Sequence, residues 1–191
     1  MLMKVFPHGT GEGDKPSRYL VRPDYPGRDT APPQVLRGDP AMTRALVDSI
    51  ERRWKFTSGV LSWHPDEKIS EEQEEEVMNA FEQVAFAGLE ADQRNILWVR
   101  HTHAGHHELH FLIPRLELSS GKDFNACPPG WQKDFDVFRD LFNWREGWAR
   151  PDDPARARDE LPKKADLFKA RMARWGKEIR ESDRDRAKEV I

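Results

Sequence analysis

A cluster of histidines constrains this chain more than any other feature. Five of its seven histidines lie between positions 101 and 110, with short apolar runs before and after them. The runs 96–99 and 109–113 are rich in β-branched and aromatic residues, and Ala104 and Gly105 stand between them as a turn. The sequence therefore predicts a β-hairpin that carries the histidines and whose second strand ends at Pro114.

Side chains alternate between the two faces of a strand, and this sorts the polar residues of the hairpin. On the second strand His106, Glu108 and His110 share one face, while apolar side chains share the other. His101 on the first strand reaches the same site if its face of that strand is the matching one. Imidazole nitrogens and a carboxylate oxygen bind divalent transition metals, and three ligands leave positions open for a substrate. The alternative is an exposed loop that binds metal adventitiously, but five imidazoles with an interleaved glutamate favour a built site.

Composition places the chain among soluble proteins of one domain plus an appendage. It has 191 residues, 37% of them hydrophobic and 34% charged, with no apolar run as long as a membrane span and no signal-peptide pattern. We expect a cytoplasmic protein, and the single cysteine, Cys127, fits a reducing compartment. The net charge of −3 taken alone argues against a protein that coats nucleic acid, but residues 1–60 and 150–191 are each net positive and could present a positive surface. Much of the acidity lies in the segment 71–82, which we expect to line the outer face of a helix.

Local signals predict helices and strands along the first 150 residues. Asp39 and Pro40 start a helix over 40–53, and Ser70 with Gln73 forms a capping box for a helix over 71–87. A third helix is predicted over 132–146, and strands over 1–6 and 56–63 join the hairpin. The rest of the first forty residues is rich in glycine and proline and is interpreted as loop.

A domain boundary is predicted where the composition shifts after Arg150. The segment 151–154 contains two prolines and two aspartates, and 161–191 has the pattern of a charged helix with few apolar positions. We therefore predict one catalytic-sized domain over residues 1–150 and a charged helical extension over residues 151–191.

Both tyrosines of the chain lie in the predicted N-terminal loop. Tyr19 stands among three cations, Lys15, Arg18 and Arg22, and a positive setting favours a phosphate and stabilises a phenolate. The alternative is a tyrosine whose ring packs on the core with its hydroxyl in water, and spacing alone favours that alternative over a catalytic role.

Four motifs resemble, in their order and spacing, those of a known enzyme family. They occupy positions 17–20, 35–40, 56–63, and 98–101 followed by 108–114. Together they resemble the N-terminal catalytic domain of plasmid mobilisation relaxases, in the branch typified by colicin plasmids within the HUH endonuclease superfamily. The resemblance covers residues 1–150 and implies an α+β fold, a central antiparallel sheet with helices packed on it.

The resemblance implies a nucleophile and a reaction. Tyr19 would attack a DNA phosphate at a plasmid transfer origin and form a 5′-phosphotyrosine intermediate that can be rejoined during conjugative mobilisation. Because of this resemblance we expect Tyr19 to be the nucleophile rather than a packing residue, and Tyr25 is the second candidate.

The resemblance also implies a metal site formed by His101, Glu108 and His110. Most enzymes of the superfamily have a histidine where this chain has Glu108, whereas the colicin-plasmid branch has an asparagine where this chain has His110. The chain is intermediate between these patterns, and we expect a divalent ion, Mn²⁺ or Mg²⁺. No family ligand corresponds to the three remaining histidines of the hairpin, which are His103, His106 and His107.

Single-stranded DNA at a transfer origin is the implied substrate. Arg18, Arg22, Arg37 and Arg100 are candidates to hold it, and accessory mobilisation proteins and the conjugative coupling apparatus are the implied partners. Two other functions remain open at this stage. One is a relaxase-like protein that binds DNA or a partner without cutting, and the other is a metal-dependent enzyme acting on a different substrate.

Overall fold

The computed structural model describes residues 1–150, which contain five strands and four α-helices. The strands are β1 (Leu2–Val5), β2 (Gln34–Arg37), β3 (Phe56–Ser62), β4 (Leu97–His101) and β5 (Glu108–Pro114). The helices are α1 (Asp14–Val21), α2 (Pro40–Asp48), α3 (Glu71–Ala85) and α4 (Gln132–Glu146), with a short 3-10 turn at Ala91–Gln93.

The five strands form one antiparallel sheet in the order β1-β3-β5-β4-β2. The predicted hairpin is therefore β4 and β5, and its register pairs His101 with Glu108 and Val99 with His110. Directly paired residues lie on the same face of a sheet, so His101, Glu108 and His110 share one face. The predicted α+β fold with a central antiparallel sheet is confirmed.

The main core lies between the sheet and helices α3 and α4. Phe81 of α3 packs edge-on against Trp98 of β4 at a centroid distance of 5.0 Å and contacts Phe111 of β5 at 4.7 Å. Phe135 and Phe138 of α4 join the same cluster. Burial of several aromatic rings in one cluster stabilises this layer strongly, since each ring removes a large apolar area from water.

A smaller cluster lies on the other face, which is the face of the predicted metal ligands. Leu20 of α1 packs there against three buried side chains of β4 and β5, which are Leu97, Val99 and Leu112. At the β1 end of this face Leu2 and Lys4 are exposed. Helix α1 thus lies beside the ligand residues and leaves the β1 end of the face open.

The prediction of loop after the first strand was wrong at two places, where α1 and β2 lie, and right for most of the other residues up to 39. Helix α1 has only eight residues and contains Pro16, so it lacks a long apolar stripe; Pro16 is tolerated because it lies in the first turn, where its missing N–H has no helical partner. Strand β2 is an irregular edge strand whose register shifts between Val35 and Arg37, and it shows no clean alternation of buried and exposed residues.

Helix ends differ from the predictions in two of three cases. Helix α2 ends at Asp48 rather than near 53, and α3 ends at Ala85 rather than 87. The predicted starts are right: Asp39 caps Met42 at 2.6 Å, and Ser70 and Gln73 form the reciprocal capping box. Helix α4 has the predicted bounds.

The predicted charged extension over 151–191 lies outside the described residues, so that prediction stays open. Among the helices of residues 1–150, none is long and apolar enough to cross a membrane.

Candidate metal and tyrosine site

His101, Glu108 and His110 come together on the face of the hairpin that α1 packs against. One ligand atom from each of them lies within 4.8 Å of the others. The rings of His101 and His110 are 4.4 Å apart by centroid, and both side chains are buried. Cross-strand pairing explains the arrangement, because His101 and Glu108 are direct partners and His110 lies one full repeat further along β5.

Glu108 is held between two imidazoles. Its Oε1 lies 3.0 Å from His106 Nε2 and its Oε2 lies 3.2 Å from His110 Nε2. Burial opposes its ionisation, but hydrogen bonds and charge from His110, and then from His106, outweigh that effect and lower the pKa of Glu108 to about 2. The carboxylate is therefore ionised across the physiological range of pH.

His101 uses both ring nitrogens in contacts with the N-terminal segment. Its Nε2 is 2.8 Å from the carbonyl oxygen of Leu20, and its Nδ1 is 3.3 Å from an Arg28 Nη2. A carbonyl can only accept and a guanidinium can only donate, so Nε2 carries the proton and Nδ1 is the acceptor. This ring is neutral, and burial accordingly lowers the pKa of His101 to about 4.

The donor set fits a divalent transition ion. Two imidazoles and one carboxylate are ligands that such ions bind, and one atom of each lies within 4.8 Å of the others. A shared centre about 2 Å from each atom would require a small inward movement of the side chains, since two atoms at that distance from one ion are at most about 4 Å apart. Coordination would take the place of the hydrogen bond between Glu108 and His110, and a proton on the coordinating nitrogen of His110 would be released. It would also require His101 to exchange one of its two present hydrogen bonds for the metal.

Tyr19 lies on α1 beside this triad. Its ring centroid is 6.4 Å from that of His101, and the side chain is 40% exposed. This partial exposure fits a nucleophile and fits equally a tyrosine whose ring packs on the core with its hydroxyl in water. Tyr25 is also close: its ring stands edge-on to Tyr19 at 5.8 Å and to His103 at 5.6 Å. Both tyrosines are thus brought to the site, and Tyr19 is the one next to a triad histidine.

Arg28 is the residue that sequence reasoning missed. Its side chain is fully buried, and its Nη1 donates to the carbonyl oxygens of Tyr19 at 2.6 Å and Arg22 at 3.0 Å. Its guanidinium lies over the ring of Tyr19 at 5.0 Å and over that of Tyr25 at 4.8 Å. The sequence did contain a sign that such a donor is needed. Prolines stand four residues after Tyr19 and four residues after Arg22, so the carbonyl oxygens of these two residues cannot accept from a helical N–H.

The four arginines expected at DNA are divided between the two faces of the sheet. Arg18 and Arg22 lie on or next to α1, near Tyr19; Arg18 pairs with Asp14 at 3.4 Å. Arg37 and Arg100 point instead toward α3, on the face opposite the triad. Arg37 pairs with Glu75 and Glu82, and Arg100 donates two hydrogen bonds to Glu74 at 2.9 and 3.0 Å. The structure does not bring these two to the site.

Only some of the acidic side chains of α3 face solvent. Glu74 and Glu82 are buried, and Glu82 accepts from the Trp98 indole at 3.0 Å in addition to Arg37. The expectation that these acids line the solvent side of the helix was therefore wrong for two of them. Buried carboxylates need cationic or N–H partners, and Arg37 and Arg100 supply them.

The remaining hairpin histidines have different surroundings. His106 bonds to Glu108, and His103 stands edge-on to His101 at a centroid distance of 5.3 Å. His107 belongs to the opposite face, where its Nε2 is 2.6 Å from Glu74 and its ring meets Trp63. Of these three histidines, His106 is therefore the one that is hydrogen-bonded to a residue of the triad.

A cavity of about 320 Å³ opens between Tyr19 and His110. Phe6, Pro16 and Ser58 contribute to its lining, and the Lys4 ammonium lies 5.6 Å from the centre of the Phe6 ring. Lys4 is paired with Val60, which is paired in turn with His110, so the three lie in one row across the sheet. The space beside the triad thus combines an apolar lining with a nearby cation.

Comparisons with known proteins agree with this architecture. Residues 41–143 match the nuclease domain of MobA/VirD2-like relaxases, a range that includes the triad and begins after α1. Cryptic plasmid protein C of Neisseria gonorrhoeae is 39% identical over 170 residues, covering 87% of this chain and 80% of that protein. DNA relaxase MbeA of Escherichia coli is 34% identical over 168 residues, covering 85% of this chain and 32% of the relaxase. No solved structure matches the chain.

The fold and the matched domain define a nuclease of the relaxase class. More specifically, the chain belongs to the MobA/VirD2-like relaxase family. It spans about a third of the length of MbeA, so it corresponds to only part of that relative.

Proposed function

We propose that this protein nicks one strand of DNA at a plasmid transfer origin and remains attached to the cut end through Tyr19. The observation that carries the proposal is the position of Tyr19, a partly exposed phenol whose ring lies 6.4 Å from that of His101 in the ligand triad. A nucleophile next to a potential metal site is the arrangement that phosphoryl transfer to a side chain requires.

The proposed step is an exchange of one phosphate ester for another. The Tyr19 oxygen loses its proton and forms a bond to the phosphorus, the bond from phosphorus to the 3′ oxygen breaks, and the 3′ oxygen takes up a proton. The products are a 5′-phosphotyrosine and a free 3′-hydroxyl. Because no water enters, a 3′-hydroxyl can attack the phosphotyrosine and rejoin the strand by the reverse step.

His101, Glu108 and His110 are proposed to hold a divalent ion, Mn²⁺ or Mg²⁺. When bound, the ion would neutralise charge on the phosphate oxygens and orient the phosphate. The role of this chain's residues is to present two imidazoles and an ionised carboxylate. The lowered pKa of His101, about 4, and that of Glu108, about 2, keep both groups in their ligand forms at neutral pH.

Single-stranded DNA is proposed to cross the open β1 end of the triad face. Lys4 is exposed there and would contact a phosphate, and the cavity between Tyr19 and His110 would receive the adjoining part of the strand. Arg18 and Arg22 lie on the Tyr19 side of the same face and remain candidates for phosphate contacts. Arg37 and Arg100, which were also expected at DNA, are occupied by acids of α3.

The proposal is tested by looking for the covalent product. Labelled single-stranded oligonucleotides that tile the plasmid region around the coding sequence are incubated with the protein and Mn²⁺ or Mg²⁺, and the products are separated on a denaturing gel. We expect a protein–DNA adduct with wild type, and mass spectrometry should find the phosphate on Tyr19.

Tyr19→Phe and Tyr25→Phe are the matched pair of variants. Tyr19→Phe should form no adduct, whereas Tyr25→Phe should keep at least part of the wild-type rate. Full cleavage by Tyr19→Phe together with loss in Tyr25→Phe would move the nucleophile to Tyr25. The biological setting, plasmid mobilisation with accessory proteins and a coupling apparatus, belongs to the same proposal.

One observation favours a second function, DNA binding without cleavage. Both ring nitrogens of His101 already have protein partners, so the triad is not free to coordinate without a rearrangement. Tight binding of single-stranded DNA with no adduct in any of several divalent metals would favour this second function.

A further inference from the structure

We propose that Arg28 is a positioning residue that fixes Tyr19 of α1 against His101 of β4. This inference rests on the proposed function and adds to it a residue to which no role has been assigned. Its basis is a single guanidinium that contacts the backbone of the nucleophile, the rings of both tyrosines and the ring of a triad histidine.

The prolines after α1 create the need for such a residue. In a continuing helix the carbonyl oxygens of Tyr19 and Arg22 would accept from the N–H groups four residues later. Those residues are Pro23 and Pro26, which have no N–H. Arg28 Nη1 donates to both oxygens instead, at 2.6 and 3.0 Å. Of the two carbonyls between them, that of Leu20 accepts from His101 Nε2 at 2.8 Å.

The last carbonyl oxygens of α1 therefore accept hydrogen bonds from side chains of the site rather than from backbone N–H groups. Arg28 Nη2 reaches Nδ1 of His101 at 3.3 Å, so the same guanidinium joins the α1 carbonyls to the triad. The planar guanidinium offers several donors in fixed directions, which an ammonium cannot reproduce. Full burial of Arg28 keeps water from replacing these bonds.

The contacts of the Arg28 guanidinium with the tyrosine rings fix the orientation of those rings as well as their position. The guanidinium lies within 5.0 Å of the Tyr19 ring centre and 4.8 Å of the Tyr25 ring centre, and the two rings meet edge-on. A cation over a ring favours one placement of that ring. Because a small displacement of a nucleophile can cost about 100-fold in rate, the reaction should depend on these contacts.

Arg28→Lys and Arg28→Met separate positioning from folding, with Arg94→Met as the matched control. Arg94 also donates to a helix carbonyl, that of Glu82 at 3.3 Å, and lies over an aromatic ring, that of Phe86, but it does so on the opposite face of the sheet. Each variant is assayed well below its own melting temperature for single-turnover adduct formation at saturating DNA and Mn²⁺, and for single-stranded DNA affinity without metal.

We expect Arg28→Met to lower the adduct rate by about 100-fold and Arg28→Lys by about 10-fold, with DNA affinity within about 3-fold of wild type in both. Arg94→Met should lower the melting temperature but leave the adduct rate within about 3-fold. The proposal is overturned if Arg28→Lys has the wild-type rate, or if the rates of all three variants fall only as their folded fractions fall. If Arg28→Met does not fold, the adduct rate of Arg28→Lys alone tests the proposal.

A measurement without DNA keeps this inference distinct from the proposed function. In metal-free wild-type protein, nitrogen NMR should show His101 as the tautomer protonated on Nε2, with that proton protected from exchange. Arg28→Lys should lose the single tautomer or the protection. An unchanged His101 signal in Arg28→Lys would overturn the positioning role even if wild type forms no adduct, whereas a missing adduct alone overturns only the nicking activity.

Discussion

The ring of Tyr19 lies 6.4 Å from the ring of His101, although one belongs to a short N-terminal helix and the other ends a strand in the second half of the domain. The two residues lie far apart in the sequence. The Leu20 carbonyl, which follows Tyr19, accepts directly from His101 Nε2. The candidate site is therefore assembled by long-range contacts between α1 and the hairpin.

Replacing Glu108 with glutamine should weaken metal binding. The amide keeps the shape of the side chain but removes the negative charge that two imidazoles now surround. Calorimetric titration with Mn²⁺ should show affinity lower by at least about 100-fold. His106→Gln is the matched control, since His106 is a hydrogen-bond partner of Glu108 and not a proposed ligand; it should lower the affinity by only about 10-fold. Equal losses in both variants would remove Glu108 from the ligand set.

The stability of the metal-free protein should fall between pH 6.5 and 4 because of His101. The pKa of this group is lowered on folding, so the unfolded chain binds its proton first as the pH falls, and protonation favours unfolding. The contribution is present above pH 6.5 and is lost toward pH 4, with an upper limit of about 3 kcal/mol.

Urea unfolding of wild type and His101→Asn across this range, in a chelator, measures the effect. The difference in unfolding free energy between the two proteins should shrink as the pH falls. The pKa of Glu108 is lowered to about 2, so its contribution is lost only below about pH 4.5 and overlaps this window only at its acid end. A difference that stays constant with pH would show that His101 is not kept neutral by burial.

Lys4→Gln should weaken the binding of single-stranded DNA without changing the fold. Lys4 is exposed on an edge strand, in the same cross-strand row as His110, and it pairs with no acid in the described residues. Loss of one phosphate contact should reduce the slope of log affinity against log salt by about 0.7. Lys133→Gln, on α4 at the opposite face, is the control and should leave the slope unchanged. The DNA path proposed here is wrong if Lys133→Gln has the larger effect.

Cys127 should be unreactive in the folded protein. It is buried, and burial raises the pKa of its thiol to about 12, so almost no thiolate forms at pH 8. Iodoacetamide should modify it only when urea unfolds the chain, and intact-mass measurements over time would show this. Rapid modification under native conditions would contradict the packing of residues 126 and 127 in the main core.

The hairpin could be predicted because its information is local. Alternating polar and apolar residues on both sides of a glycine turn determine which side chains share a face, and Gly105 does adopt the positive φ of +79° that a turn of this kind favours. The helix starts at Asp39 and Ser70 could also be predicted from the sequence, since a helix cap depends on residues within one turn.

The contacts that complete the site could not be predicted in this way. The partners of Arg28 are set by how α1 docks on the sheet, and its role emerges only once Pro23 and Pro26 are seen to leave two carbonyls without helical donors. Arg37 and Arg100 looked available for DNA in the sequence. Their acidic partners lie on α3, and only the sheet register places those arginines on the α3 side.

The two halves of the site belong to parts of the molecule with different local stability. His101, Glu108 and His110 lie on adjacent strands in the interior of the sheet, whereas Tyr19 belongs to a helix of eight residues whose last carbonyls are bound by side chains. Amide protons of α1 should therefore exchange with solvent well before those of β5. Mild warming would then separate the nucleophile from the ligand residues while the sheet stays intact, so cutting activity should be lost at a lower temperature than the ability to bind metal.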